Sequence, residues 1–349
     1  MNTKNGPQKT PIREWGKQSL IDRLSARFTL RNPSTVQGPG DDASVACFSE
    51  SLTVSAQKLS LEGIDFDLSY FPLKFVGYKT AVHAMGQVMA MNAHPMQLLV
   101  CAGVSQRFYV EDLDELFLGI EAAAHTYGAD IAFLDIQSSY TGLTLAVTAS
   151  GDCDAGLLTR RSGARDTDLI CLSGNVGAAY MGLQLLEREK RVFTGEAKKD
   201  ELPNLEGYEY ILERYLKPEL PKALLDNLKA DDVIPTSMCL LTNGLSDGIL
   251  RIAKASGTGA KVFVNKIPIA RQCYEFAETE KNVSPLVAAL NGGDDFQMLF
   301  TLPLSLYDTL AKEYSLDMIG HICDASVGCR LITPDGRSFP LESPGFENF

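Results

Sequence analysis

The stretch QLLVCAGVSQRFYVEDLDELFLGIEAAAHTYGADIAFL, residues 97–134, combines two apolar runs of strand length with a helical pattern between them. The apolar runs are 97–104 and 130–134. Between them, residues 110–127 carry apolar side chains at helical spacing on one stripe: Leu113, Leu116, Phe117 and Ile120. The stretch therefore predicts a strand, a helix and a second strand, the repeating unit of an α/β domain.

The flanking sequence extends this unit to a first domain over residues 1–150. Its other predicted elements are a helix over 15–28, a glycine-rich turn over 36–47, a strand over 52–55, a helix over 73–93 and a strand over 143–149. The composition then changes at GDCDAG, residues 151–156. We place the domain boundary there.

Residues 151–349 are predicted to form a second domain. Its strands are expected over 168–173, 260–264, 297–302 and 317–322, and its helices from 178 to about 190 and over 208–216 and 244–256. The charged, proline-bearing segment 187–222 is expected to be a surface excursion. The alternation of strand and helix signals favours a pair of α/β or α+β domains.

Composition narrows the possible functions. The 349 residues include 32 Lys and Arg against 44 Asp and Glu, a formal net charge of −12, which disfavours nucleic acid and anionic membranes as partners. The longest apolar run, Leu98 to Val104, is far shorter than a membrane-spanning helix. Residues 1–10 are polar and show no targeting segment, so we expect a cytoplasmic protein. We expect its partner to be a small phosphorylated molecule, because local dipoles or bound cations can outweigh the negative net charge.

The eight cysteines are scattered, without a Cys-x-x-Cys pair, and the four histidines lack the spacing of metal ligands. Several of the cysteines lie inside apolar runs. Buried free thiols are therefore expected, with zinc ligands or disulfides as the alternative.

Five segments, in this order and spacing, resemble the thiamine-monophosphate kinase family of the aminoimidazole ribonucleotide synthetase-like superfamily. They are GDDASV (40–45), LEGIDFD (61–67), MAMNAHP (89–95), the pair RSGAR (161–165) with LSGNVGAAYMGL (172–183), and NGGDDF (291–296). The similarity extends from about residue 38 to residue 346. It implies a fold class of an N-terminal α/β domain followed by a larger α+β domain. The resemblance also implies that the first domain's sheet pairs with that of a second copy, forming a barrel in a homodimer.

The resemblance also implies an activity, the transfer of the γ-phosphoryl group of ATP to thiamine monophosphate, giving thiamine diphosphate. Mg²⁺ ions held by Asp side chains would assist, since phosphoryl transfer depends on positioning and on cations that neutralise phosphate charge. The matching positions of this chain would be metal ligands at Asp41, Asp42 and Asp135, nucleotide contacts at Arg161, Gly174, Gly177 and Thr242, and substrate contacts at Asp65, Asp294 and Phe346.

Four expected metal-side carboxylates are missing from the pattern. At four positions where the resemblance expects Asp, this chain has Gln57, Gln87, Leu240 and Asn243. Before Asp135, where the resemblance expects two glycines, it has Phe133 and Leu134. Amides carry no charge and Leu offers no ligand to a hard cation, so a site for several Mg²⁺ ions would be greatly weakened. Compensating ligands are conceivable at Asp65, His83 and Asp247.

Other interpretations of the retained residues stay open. Asp41 and Asp42 follow Gly-Pro-Gly and could cap a turn, and Arg161 could pair with Asp166 or Asp168. The turn GNVG, residues 174–177, could receive an anion or simply allow close packing. Three functions remain: a divergent kinase, a non-catalytic relative that binds a phosphate ligand, and another ATP-dependent reaction on the same scaffold.

Overall fold

The computed structural model describes residues 10–11, 20, 23–37, 45–46, 51–196, 203–280, 283–314 and 316–343. These residues form two compact units, and the short segment 89–92 belongs to the second one. The first unit otherwise ends at Asp154 and the second begins at Ala155.

The first unit contains a small two-stranded ribbon, a four-stranded sheet and two long helices. The strands are β1 (Thr35–Gln37), β2 (Val45–Ala46), β3 (Leu52–Leu61), β4 (His94–Val104), β5 (Asp130–Ser138) and β6 (Leu143–Cys153), and the helices are α1 (Leu73–Met89) and α2 (Val110–Tyr127). The larger sheet has the order β3-β6-β4-β5, in which only the β4–β5 pair is parallel. The helix predicted over 110–127 is confirmed, and its four stripe residues are buried.

One face of the four-stranded sheet packs on the helices and the other face is exposed. Ser60 on β3 is buried and its hydroxyl accepts a hydrogen bond of 3.0 Å from Thr80 on α1. Because side chains alternate along a strand, Gln57 and Leu59 lie on the opposite face, where both are exposed. Cys101 on β4 is exposed on that face as well.

The second unit is built on a seven-stranded sheet of order β13-β12-β9-β11-β7-β10-β8. The strands are β7 (Leu169–Leu172), β8 (Ser237–Leu240), β9 (Gly259–Phe263), β10 (Met298–Leu302), β11 (Asp317–Cys323), β12 (Cys329–Ile332) and β13 (Ser338–Pro340). The helices are α3 (Ala178–Phe193), α4 (Glu209–Leu216), α5 (Lys222–Ala230), α6 (Leu245–Ser256), α7 (Arg271–Thr279) and α8 (Pro285–Asn291). Together they produce the expected α+β arrangement.

Several sequence predictions need correction. The helix predicted over 73–93 ends at Met89, because the chain turns at Asn92, whose φ is +60° and whose N–H group bonds to Met89. The segment 187–222 is not a simple surface excursion, since Ile211 and Tyr215 of α4 are buried. The sequence also missed β8, β12, β13, α5, α7 and α8. Of the helix predicted over 15–28, the described residues 20 and 23–25 are helical.

The cysteines that the structure describes are free thiols. Cys153, Cys171, Cys239, Cys273 and Cys323 are buried, as expected, whereas Cys101 is exposed and Cys47 lies outside the described residues. Burial raises the pKa of Cys171 to about 12, which makes its reactive thiolate form rare at neutral pH. Within the described ranges, no helix is both long and apolar enough to cross a membrane.

Two glycines set the close approach of α1 and α2. A Cβ atom at Gly119 would lie 1.8 Å from the Lys74 carbonyl oxygen, and one at Gly77 would lie 2.1 Å from that of Leu116. The helix backbones are therefore in direct contact at this crossing, and neither position has room for a methyl group.

Gly119→Ala is expected to destabilise the first unit by about 1–3 kcal/mol, because the added methyl forces the two helices apart. Gly103→Ala is the matched control in the same unit, since the nearest atom to its added Cβ would be 3.5 Å away. The measurement is urea unfolding of both variants and of the wild type. Equal unfolding midpoints for the two variants would contradict the predicted close helix contact.

Candidate functional site

Three sequence motifs of the second unit meet at one edge of its sheet. Strand β10 lies between β7 and β8 and is antiparallel to both, so the ends of β7 and β8 meet the beginning of β10. Gln297, just before β10, accepts a hydrogen bond of 2.8 Å from the Ser173 hydroxyl through its side chain and one of 2.9 Å from Leu241 N–H through its carbonyl. The predicted nucleotide and substrate segments are thus neighbours.

The GGDDF turn packs on the segment that follows β8. The Asp294 N–H group donates to the Thr242 carbonyl at 3.0 Å, and a Cβ at Gly293 would lie 2.6 Å from that same oxygen. Phe296 N–H similarly donates to Leu241 at 3.0 Å. The structure therefore brings the predicted nucleotide residue Thr242 next to the predicted substrate residue Asp294, with the exposed Asn243 beside them.

The N-terminus of helix α3 holds a carboxylate of the protein itself. Both oxygens of Asp295 lie 2.9 Å from the Gly177 nitrogen, and one lies 3.4 Å from the Ala179 nitrogen. Asp295 is only 3% exposed. Burial raises its pKa to about 7, while the N–H groups of Gly177 and Ala179 and the charge of Arg214 oppose the rise.

The predicted phosphate contact at Gly177 needs correction for this reason. Its N–H group is bonded to Asp295, and a Cβ at this position, where φ is +92°, would lie 2.8 Å from the Ala289 nitrogen. A Cβ at Gly174 would likewise lie 2.7 Å from the Gln297 amide oxygen. Of the two interpretations of this turn, the structure favours close packing.

Arg161 lies on an exposed loop that packs along the edge strand β8. Its carbonyl accepts a hydrogen bond of 3.3 Å from Ser256, and the preceding Arg160 carbonyl accepts one of 2.9 Å from Met238 on β8. Asp168, one suggested partner of Arg161, instead accepts hydrogen bonds from Arg165 N–H and the Thr236 hydroxyl, at 2.9 and 2.7 Å. The loop is therefore fixed to the sheet through its backbone.

Asp247, suggested as a compensating metal ligand, is paired with a cation of the protein. Its carboxylate is 8% exposed and lies 2.7 Å from the Arg251 guanidinium nitrogen, one turn later on α6. The charges of Arg161, Asp247 and Arg251 all act on the thiol of Cys239, whose pKa is raised to about 12 mainly by burial. Arg161 is thus near the pair, and the three groups together, two guanidinium groups and one carboxylate, carry a net positive charge.

The metal-side positions of the first unit do not converge. Gln57 lies on β3 and donates to the Thr148 hydroxyl at 2.9 Å, whereas Asp135 lies on β5 and accepts from Gln137 at 3.1 Å. These are the two outer strands of the four-stranded sheet, which places their backbones about 14 Å apart at the usual strand spacing. One ion cannot be held by both positions of a single chain.

Strand alternation also separates Gln57 from the α1 helix. Lys58, not Gln57, lies on the face that packs against this helix. On α1 itself, the Gln87 amide nitrogen is 3.5 Å from the His83 ring nitrogen Nε2. Gln57 and Gln87 are therefore on opposite sides of the sheet.

Asp65, a predicted substrate contact and a suggested metal ligand, closes a turn at the end of β3. One of its oxygens accepts a bond of 2.5 Å from the Lys58 ammonium group, and the other accepts one of 2.8 Å from Leu61 N–H. The two side chains are each about one quarter exposed. This carboxylate is already neutralised by a cation of its own chain.

The described residues do not fit a Mg²⁺ cluster. Mg²⁺ requires oxygen ligands at about 2.1 Å in octahedral geometry. Within the described part of the chain, no group of three or more His, Cys, Asp or Glu side chains is placed to hold a metal ion. The predicted ligands Asp41 and Asp42, and the predicted substrate contact Phe346, lie outside the described residues.

Sequence reasoning missed the parts played by Asp295 and Lys58. The letters NGGDDF do not distinguish Asp294 from Asp295, whereas in the structure Asp295 is buried and Asp294 is partly exposed. Lys58 lies on a strand seven residues before Asp65, which lies in the following turn. The rules for neighbouring side chains within a helix or a strand therefore do not predict their contact. Only the packed structure shows either contact.

The two units and their mixed sheets define an AIR synthase-like protein. Residues 40–153 match the family of AIR synthase related proteins, N-terminal domain. The thiamine-monophosphate kinase of Bacillus subtilis is 23% identical over 336 residues, covering 95% of this chain and 98% of its own. That of Methanospirillum hungatei is 28% identical over 273 residues, covering 76% and 78%.

Solved structures agree with these relatives. The thiamine-monophosphate kinase of Stenotrophomonas maltophilia superposes with a TM-score of 0.74 at 26% identity, covering 90% of this chain and 95% of its own. The structure of AaThiL complexed with AMPPCP and TMP has a TM-score of 0.71 at 23% identity, covering 97% and 98%. This chain is therefore similar to thiamine-monophosphate kinases over nearly its whole length.

Asp295→Asn is expected to change how stability depends on pH. The pKa of Asp295 is about 7 in the folded protein and 3.8 ordinarily, so folding takes up a proton between these values. Wild-type stability should therefore fall as pH rises from about 4 to 7, by at most about 1.4 kcal/mol per pH unit from this group. The variant should lack this component.

The measurement is urea unfolding from pH 4.5 to 8, with Asp294→Asn as the matched control that retains the buried carboxylate. The wild type and the control should both lose stability as pH rises, and the fall in the control should lie at slightly lower pH because the Asp294 charge contributes to the raised pKa of Asp295. If Asp295→Asn shows the same fall as the wild type, the raised pKa is wrong.

Proposed function

We propose that this protein is a thiamine-monophosphate kinase-like protein that binds a small phosphate ligand but transfers phosphoryl groups from ATP at most weakly. One observation carries the proposal: the two carboxylates suggested as replacement metal ligands, Asp65 and Asp247, are already paired with Lys58 and Arg251. A divalent ion would have to displace an ammonium or guanidinium group from each of them.

The ligand-binding half of the proposal is supported by the second unit. The segments around Ser173, Thr242 and Asp294 converge at one sheet edge, and Arg161 is fixed nearby on its own loop. An arginine offers several N–H donors and a permanent charge to phosphate oxygens. AaThiL, complexed with AMPPCP and TMP, has the same fold. ATP and thiamine monophosphate are therefore the ligands to test first.

The weak-transfer half rests on electrostatics. Phosphoryl transfer requires cations that neutralise charge on the transferred group, a role for which this family is expected to use Mg²⁺. The neutral side chains of Gln57, Gln87, Leu240 and Asn243 cannot gather such ions by charge. The cations that contact the suggested replacement ligands Asp65 and Asp247 are Lys58 and Arg251, and both are engaged by these carboxylates.

A kinase that works with fewer metal ions is the second candidate. It is favoured by similarity to thiamine-monophosphate kinases over 95% of the chain and by the retained Asp41, Asp42 and Asp135. Both candidates include the expectation from the sequence of a cytoplasmic homodimer, paired through the exposed face of the four-stranded sheet.

The deciding experiment is an assay of thiamine diphosphate formation from thiamine monophosphate and ATP with Mg²⁺, and with EDTA as the metal-free control. We expect a rate at least about 100-fold below that of the Bacillus subtilis relative, since losing even two charge contacts of about 1.4 kcal/mol each costs this much. A rate within tenfold of that relative would establish the second candidate.

Arg161→Ala is expected to weaken ATP binding, measured by calorimetry without added metal, by about tenfold or more, because a charged phosphate contact is lost. Arg160→Ala is the matched control, since this exposed neighbour contributes its backbone carbonyl to the sheet and keeps it after substitution. Equal affinities for the two variants would contradict the assignment of Arg161.

A further inference from the structure

The GGDDF turn has an unusual backbone that something must hold in place. Gly293, Asp294 and Phe296 have φ values of +77°, +57° and +54°. Residues other than glycine rarely adopt this left-handed backbone conformation, and they keep it only where the surrounding structure fixes them. Phe296 is nevertheless completely buried, so the turn is a fixed part of the fold.

Backbone hydrogen bonds hold one side of this turn. Asp294 and Phe296 donate to the carbonyls of Thr242 and Leu241, both at 3.0 Å, which ties the turn to the segment after β8. These bonds do not reach helix α3. The side chain of Asp295 does so, through its contacts with the Gly177 and Ala179 N–H groups.

The carboxylate suits the end of the helix both electrically and sterically. The first N–H groups of a helix lack internal partners and carry partial positive charge, so they bind an anion well. Here the anion is internal, and the glycine at the same position touches the backbone of α8. Asp294, the preceding residue in the chain, remains partly exposed.

We propose that Asp295 is a positioning residue: as the built-in hydrogen-bond acceptor of the α3 N-terminus, it couples the GGDDF turn to this helix and so fixes Asp294 beside Thr242. A ligand phosphate is then bound elsewhere in the unit, not at the helix end. The part concerning a ligand rests on the proposed function, whereas the coupling itself does not.

The test is chemical rescue of Asp295→Ala. Removing the carboxylate leaves the Gly177 and Ala179 N–H groups without their acceptor, and the melting temperature should fall by about 5 °C. Sodium formate, a carboxylate small enough for the vacated space, should restore at least half of this loss in a saturable manner. Sodium chloride at equal ionic strength should not. Equal effects of formate and chloride would overturn the proposal.

Amide hydrogen exchange distinguishes coupling from a purely local role of Asp295, because a local role would change exchange in the GGDDF turn alone. In Asp295→Ala, amides of 174–180 and of 292–297 should exchange about tenfold faster together, and formate should slow both segments. Asp294→Ala, the control from the same turn, should leave 174–180 unchanged. Faster exchange confined to 292–297 would overturn the coupling.

Asp295→Asn covers the case in which the alanine variant does not fold. Its amide fills the space of the carboxylate, so exchange should still rise in both segments but formate should have no effect. A formate effect in this variant would contradict binding at the helix end. ATP titration of the wild type and of the folded variants separates the two proposals. If the wild type does not bind ATP, the proposed function is wrong, whereas the hydrogen-exchange data still decide whether Asp295 couples the turn to α3.

Discussion

The antiparallel pairing of β10 with both β7 and β8 is the constraint on which the candidate site depends. It brings the ends of two strands and the beginning of a third to the same sheet edge, although the paired residues are 58–64 positions apart for β8 and 127–133 positions apart for β7. Gln297 then bonds to both neighbouring segments, and the GGDDF turn packs on Thr242. The position of every predicted ligand contact in that turn follows from this register.

In a metal-dependent enzyme we would expect carboxylates that face a metal ion, whereas three carboxylates of this chain have partners within the chain itself. Asp65, Asp247 and Asp295 are each satisfied within the chain, by an ammonium group, a guanidinium group and the N-terminus of a helix. A carboxylate that already has its counter-charge gains less from a divalent ion, because the ion must first displace that partner. The lost carboxylates and the internal pairing of the remaining ones thus act in the same direction.

Much of the fold could be predicted from the sequence, and less of the site. The β4–α2–β5 segment has strong periodicity, so its type and its helix bounds followed from the residues alone. β8 has only four residues, and α7 and α8 have nine and seven, so each carries only a weak periodic signal. Thr242 and Asp294 were expected at the site from motif resemblance, but their contact depends on strand order.

The sequence by itself determined the resemblance to thiamine-monophosphate kinases, the division into two parts, and the neutral residues that stand where this resemblance expects metal-side carboxylates, because motif order, periodicity and residue chemistry are local properties. Tertiary structure alone decided that Gln57 and Asp135 lie on opposite outer strands, that Lys58 neutralises Asp65, and that Asp295 occupies the end of α3. These relations join residues through strand order, side-chain alternation and burial, which local patterns do not encode.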